Sequence, residues 1–237
     1  MRHVEAVQSY FDKTQLYLAR NTGIQIRAQI VRELLGEIEN SRILDLGCGD
    51  GSLSIQFLMP SNHITLLDVS KKMLMLADQK IPVACKHQIA LCNLDFLEFT
   101  CEQPFDLVLC VGVLAHASSI QAVLQTINRL LRPGGRCLLQ FSDQEQLVAR
   151  ITSLYYEFWR GQNDSYTYRI NSIRRSEMQS LIRQNNFLLI KEKKYWAMLP
   201  GIGKLPTKVA YRFLMRLSQN DLISSLGGDK IWLLIKE

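Results

Sequence analysis

The chain has 237 residues, 47% of them hydrophobic and 21% charged, enough to bury a core without disulfide or metal support and with no apolar run long enough for a transmembrane span. Its six cysteines (Cys48, Cys85, Cys92, Cys101, Cys110, Cys137) form neither a CxxC nor a metal-ligand spacing, and Met1 to Glu5 lacks the apolar core of a signal peptide, so a reduced, cytoplasmic protein is expected. The net charge of +6 is uneven: residues 1–149 carry 13 Lys+Arg against 15 Asp+Glu, and residues 150–237 carry 15 against 7, so the basic excess lies in the last third, as a solvated surface or a face for an anionic partner.

Residues 1–40 read as two helices broken at Thr22-Gly23. Between Gln25 and Glu39 the residues Ile26, Ile30, Leu34 and Ile38 recur four apart on one apolar face. Beyond residue 41 short β-like runs alternate with helical ones. Strands are predicted at 42–47, 63–68, 88–92, 105–111, 136–141, 187–195 and 230–236, and helices near 51–59, 70–79, 118–131 and 172–185. This alternation predicts parallel strands with crossover helices in one α/β domain spanning 1–237. Within it, 1–40 are N-terminal helices and 41–142 a cofactor-binding core. Segments 143–171 and 196–229 break the alternation and are expected to build a substrate chamber. The first holds Tyr155, Tyr156, Phe158, Trp159, Tyr166 and Tyr168, of which Tyr155, Trp159, Tyr166 and Tyr168 are candidate substrate contacts. The second sets Lys204, Lys208, Arg212 and Arg216 four apart with Val209, Phe213, Leu214 and Leu217 opposite, a surface helix or a membrane-resting one.

The chemistry concentrates at Ile43-Leu44-Asp45-Leu46-Gly47-Cys48-Gly49-Asp50-Gly51. Glycine at 47 and 49 lets the backbone turn sharply and approach a ligand. The sixth position of a dinucleotide fingerprint is Ser52, not glycine, so a pyrophosphate is not the natural ligand. S-adenosylmethionine has no pyrophosphate and carries an ammonium that welcomes a carboxylate such as Asp45. Asp68, at the tip of the next strand, can accept both ribose hydroxyls. Asp95 can accept from the adenine amino group, and Phe96 or Met73 can cover the base. Cys48, Val69 and Val111 complete the expected cofactor contacts. Asp106 reads as a structural acid opening the fourth strand.

The glycine loop, Asp68, Asp95, Pro104-Phe105-Asp106-Leu107-Val108 and Leu131-Arg132-Pro133-Gly134-Gly135-Arg136 together resemble a class I S-adenosylmethionine-dependent methyltransferase of the small-molecule type, over about residues 10–142. The resemblance implies a Rossmann-like seven-stranded sheet in order 3-2-1-4-5-7-6 with the last strand antiparallel. It implies methyl transfer to an oxygen or nitrogen of a small molecule, with no metal, by a monomer or homodimer. His116, just past the fourth strand, is the candidate general base. Tyr10 and Tyr17 are candidates for a lid over the cofactor, Tyr17 as a contact. Nicotinamide chemistry is disfavoured because no tyrosine has lysine four residues on. Methylation of nucleic-acid bases is disfavoured because no Asn/Asp-Pro-Pro-aromatic or Pro-Cys motif is present. An RNA acceptor, or a lipid or glycan at a membrane, is the alternative that the basic last third allows.

Overall fold

The computed structural model describes residues 3–13, 21–145, 171–196, 199, 202 and 205–237. Seven strands form one sheet: β1 (Arg42–Leu46), β2 (His63–Leu67), β3 (Ile89–Cys92), β4 (Phe105–Cys110), β5 (Leu131–Ser142), β6 (Phe187–Tyr195) and β7 (Asp229–Lys236). Their order is β3-β2-β1-β4-β5-β7-β6. The pairs from β3 through β5 are parallel, whereas β7 runs antiparallel to both β5 and β6. The order reverses between β1 and β4, and a crevice opens there beyond the carboxyl ends of the strands.

The central strands are apolar because both faces of the sheet are covered. On one face α2 (Asn21–Leu35), α3 (Lys71–Lys80) and α6 (Thr207–Gln219) pack Ile26, Ile30, Leu74 and Leu214 against Ile43, Leu107 and Leu109. On the other, α4 (Ile120–Leu130) and α5 (Arg175–Gln184) pack Val123, Ile127, Met178 and Ile182 against Leu44, Val108 and Leu139. Trp232 of β7 meets Phe141 of β5 edge to face, 4.7 Å between ring centroids. At the far end of that pair of strands, the Lys230 ammonium is buried against the Asp143 carboxylate. A further helix, α1 (His3–Phe11), lies over the carboxyl edge. Among the described residues no helix is long and apolar enough to cross a membrane.

The helix caps follow the sequence. The Ser70 hydroxyl accepts the Met73 amide at the start of α3, and Ser119 accepts the Ala122 amide at the start of α4, each at 3.2 Å. Four expectations need correction. The helix expected over 51–59 is only a 3-10 turn at Ile55–Phe57, since the loop before it spends its residues on positive-φ turns. Thr22 and Gly23 sit inside the first turn of α2 rather than breaking it. Finally, α2 stops at Leu35, short of Ile38. Gly36 there takes φ +66° and donates its amide to Arg32 O at 2.9 Å, a left-handed helix end. The fifth strand also begins earlier than expected, at Leu131.

Candidate active site

The site is assembled along the carboxyl edge, starting where β1 runs into its glycines. Gly47 and Gly49 take φ +63° and +54°, backbone that β-carbons resist. A Cβ on Gly47 would lie 2.8 Å from Val113 Cγ2, so the loop is pressed against the chain leaving β4. The Cys48 amide donates to Leu67 O at 3.1 Å. Its buried thiol is pushed up by burial and then by the charges of Asp45, Asp68 and Asp50, so it stays protonated and inert as a nucleophile.

Asp68 follows β2 and is gripped by backbone. Gly49 N–H donates to Oδ2 and Ser70 N–H to Oδ1, both at 2.8 Å. Each oxygen keeps further lone pairs, and Asp68 lines the cavity. Burial raises its carboxyl, and the two amides oppose that rise without cancelling it. Asn93 fixes the turn, its amide donating to Asp68 O and Val69 O at 2.9 Å. Asp95 accepts the Leu97 amide at 3.0 Å, which braces the loop after β3.

A cavity of about 490 Å³ runs along this edge, within the roughly 300–1,000 Å³ of small-molecule sites. At one end its wall holds Gly47, Cys48, Gly49, Asp68, Val69, Asp95 and Phe96, with Val111 beside them. Asp45 and Met73 are not on this wall. Met73 is fully buried in α3. Asp45 is 1% exposed and accepts the Ser54 hydroxyl at 2.7 Å. Burial pushes its carboxyl up to about 7, with Asp68 and Asp50 adding to the rise against the Ser54 hydrogen bond. Asp50 pairs with Lys80.

His116 lies on the cavity wall in a 3-10 turn after β4. Asn171 holds that turn: its amide N–H donates to Ala115 O at 2.8 Å, and its side chain donates to Leu114 O and Ala117 O. The Phe11 ring stands edge-on to the imidazole at 5.1 Å. Helix α1 is tied down at both ends. His3 Nε2 donates to His116 O at 2.8 Å, and the Ser70 hydroxyl donates to the Asp12 carboxylate at 2.7 Å. Tyr10 is buried, its ring edge-on to Phe11, and it is Phe11 that faces the cavity. Tyr17, Tyr155, Trp159, Tyr166 and Tyr168 lie outside the described residues.

The other end of the cavity lies over β4, β5 and β7. Leu199, Ile202, Leu205, Ala210 and Leu214 supply apolar wall, and Arg27, Gln140, Ser142 and Asp229 supply polar wall. None of these four polar residues stood out as a site residue in the sequence. Two of them left a trace: Gln140 interrupts the apolar run Cys137–Phe141, and Asp229 opens the last strand. Asp106 is structural as expected, accepting the Arg42 amide at 2.8 Å and Arg132 Nε at 2.5 Å.

A sheet of seven strands with this order and an antiparallel β7, with its cavity at the point of reversal, is the Rossmann-like methyltransferase fold. A family model described as a methyltransferase domain matches residues 38–193, and the chain belongs to that family, the class I S-adenosylmethionine-dependent methyltransferases. It is 30% identical over 122 residues to the ubiquinone biosynthesis O-methyltransferase of Aeromonas salmonicida (strain A449), covering 48% of each chain. It is 29% identical over 153 residues to the demethylmenaquinone methyltransferase of Tropheryma whipplei (strain Twist), covering 64% of this chain and 63% of that one. The chain thus spans about half to somewhat under two thirds of the length of these curated relatives. The crystal structure of magnesium protoporphyrin IX methyltransferase from Synechocystis PCC 6803 with bound SAH superposes with a TM-score of 0.68 over all of both chains at 17% identity, a likeness of fold.

The residues present suit the cofactor of this family. Gly47 and Gly49 present bare backbone to the cavity. Asp68 offers carboxylate lone pairs to vicinal hydroxyls, and the buried Asp45 lies behind the wall.

Proposed function

We propose that the protein transfers a methyl group from S-adenosylmethionine to an oxygen or nitrogen of a small, largely apolar metabolite. The observation that carries this reading is the single cavity. It runs from Asp68 and Asp95, past Gly47 and His116, to an apolar chamber at Leu199, Ile202 and Leu214. In this reading Asp68 accepts the ribose hydroxyls, Asp95 accepts from the adenine amino group, and Val69 and Phe96 flank the base. Asp45 acts from behind the wall through its charge.

S-adenosylmethionine supplies, when bound, a methyl group on a positive sulfonium. The protein's own work is positioning and proton removal. The glycine loop and Asp68 fix the donor, and the chamber fixes the acceptor in line with it. Helix α1 and Phe11 exclude water, and His116, held by Asn171, takes the acceptor's proton.

The test is calorimetry with S-adenosylhomocysteine together with an assay of methyl transfer to small hydroxylated and amino compounds. One site per chain is expected. Asp68→Ala should weaken binding by about 1–3 kcal/mol, the cost of a lost buried hydrogen bond. His116→Ala should leave that affinity intact and lower turnover by ~10²–10⁴-fold. Unchanged affinity in the first variant removes the cofactor assignment, and normal turnover in the second removes the base.

A second reading, that the enzyme works at a membrane surface on a lipid-borne acceptor, is favoured by one feature. Helix α6 buries Ala210, Leu214 and Met215 inward yet leaves Val209 and Phe213 about half exposed among exposed Lys208, Arg212 and Arg216. Leu222, Ile223 and Leu226 extend this apolar surface just beyond it. Interleaved apolar and cationic groups on one face suit an anionic bilayer.

A further inference from the structure

The polar corner of the acceptor chamber is drawn from five separate parts of the chain. Because β7 is antiparallel, its first residue, Asp229, pairs with Ser142 at the end of β5 and with Tyr195 at the end of β6. All three therefore meet at the carboxyl edge. The Ser142 hydroxyl donates to Asp229 Oδ1 at 2.8 Å, and Gln140 Nε2 donates to the same oxygen at 3.4 Å. From α2, Arg27 Nε donates to the Tyr195 hydroxyl at 3.3 Å. Gly112, after β4, closes the corner: a Cβ there would lie 3.8 Å from Arg27 Nη1 and 3.9 Å from Gln140 Oε1. Arg27, Gly112, Gln140, Ser142 and Asp229 all line the cavity.

One group in this corner is unsatisfied. Gln140 is 6% exposed, and its Oε1 is buried without a hydrogen-bond partner among the described residues. The orientation of the amide follows from its neighbour. A carboxylate only accepts, so the amide nitrogen faces Asp229 and the oxygen lies beside Gly112, a residue of the cavity wall. An orphaned buried carbonyl destabilises the fold. Such a cost is tolerated where a ligand removes it. Beside it, Asp229 Oδ1 accepts from both Ser142 and Gln140. Burial lifts its carboxyl, and Arg27, Ser142 and Gln140 offset only part of that rise.

Resting on the methyltransferase reading, we propose that Gln140 and Asp229 form the seat for the acceptor's polar head, and that the acceptor is an uncharged molecule presenting an O–H or N–H donor on an apolar or aromatic body. The corner offers two acceptors, Gln140 Oε1 and the Asp229 carboxylate. Its one cation, Arg27, is engaged with Tyr195 and balances Asp229. A carboxylate or phosphate head would meet an acceptor carbonyl and the like charge of Asp229 in a dry corner where the Arg27 guanidinium already balances that carboxylate. A site built to hydrogen-bond a hydroxyl also rejects the analogue that lacks one, because its own polar groups are then left unpaired. The acidic–basic balance of the corner thus sets the +8 of the last third apart from acceptor choice.

Four compounds on one scaffold test this: 1-naphthol, 1-naphthylamine, 1-methoxynaphthalene and 1-naphthoate. Each is titrated into the full chain with and without S-adenosylhomocysteine. The two donor-bearing compounds should bind more tightly than the ether and the carboxylate. Gln140→Met keeps the volume and removes the carbonyl. It should weaken 1-naphthol by about tenfold, one buried hydrogen bond, and leave both the ether and S-adenosylhomocysteine unmoved. Asp229→Asn replaces an acceptor with a donor. It should weaken 1-naphthol and strengthen 1-naphthoate, an inversion that a merely structural role does not produce. Preference for the carboxylate, binding by neither donor-bearing compound, or equal shifts for all four would overturn the proposal. Failure of the wild type to bind S-adenosylhomocysteine would strike the cofactor assignment instead, since the titrations without it still read the seat.

Discussion

At the scale of single residues the site divides by how its members act. In the proposed reading Asp68 and the glycines act by contact, whereas Asp45 acts through burial and charge. With its carboxyl pushed up to about 7, Asp45 is largely protonated at about pH 6 and largely ionised at about pH 8. A ligand ammonium nearby favours the ionised form, so binding releases a proton and affinity rises with pH through that range. S-adenosylhomocysteine should therefore bind several-fold more tightly at the upper end, and Asp45→Asn should flatten the profile; calorimetry at both pH values decides it. The same shift has an opposite sign for the unliganded fold. The folded state holds this proton more tightly than the unfolded chain, so Asp45 lowers stability as pH rises from the ordinary carboxylate range to about 7. That Gly47, Gly49 and Asp68 line the cavity was legible in the sequence because a glycine loop and an acid at a strand tip are local signals. Gln140 and Asp229 were not, since their meaning comes from a cross-strand pairing between residues far apart in the chain.

At the scale of elements, α6 has two faces with different work. Its inner face lines the chamber through Ala210 and Leu214, and its outer face presents Val209 and Phe213 among basic side chains. If the outer face rests on lipid, the protein should co-sediment with vesicles containing phosphatidylglycerol and not with purely zwitterionic ones. The binding should fall as salt rises. Lys208→Glu with Arg212→Glu should abolish it while leaving turnover of a water-soluble acceptor unchanged. Retained binding in that variant, or none in the wild type, would discard the surface. The four-residue spacing of its basic side chains was readable in sequence, although Val209 and Phe213, expected opposite them, lie exposed among them; the seven strands were readable to within about five residues, the central parallel ones as continuous apolar runs. The failures came where glycine decides. Gly51, at positive φ, opens the segment expected to be helical, and Gly36 ended α2 early. Gly23 broke nothing, since a glycine in a first helical turn costs only conformational entropy.

At the scale of the whole molecule, the antiparallel strand is secured by the buried Lys230–Asp143 pair, both side chains at most 3% exposed. Burial alone would raise the Asp143 carboxyl; the Lys230 ammonium, with the Glu145 and Arg175 amides, holds it below its ordinary value. Lys230→Met strands a buried carboxylate and should cost about 3–5 kcal/mol at neutral pH. A carboxyl with a lowered pKa contributes stability above its unfolded value and loses it as pH falls through the folded one. The penalty should therefore shrink in acid, as urea denaturation at about pH 7 and about pH 4 would show. An equal penalty at both would mean the pair is not what holds the strand. The strand order has one more consequence. The expected donor end of the cavity is written mostly between residues 47 and 97 and the other end mostly between 112 and 229, while α1 and the start of α2 add wall from residues 3–27. Two recognition tasks that meet in space are thus encoded in separate stretches of chain. Mutation can drift or be directed in the second stretch, exchanging one acceptor for another, without disturbing the machinery that holds the donor.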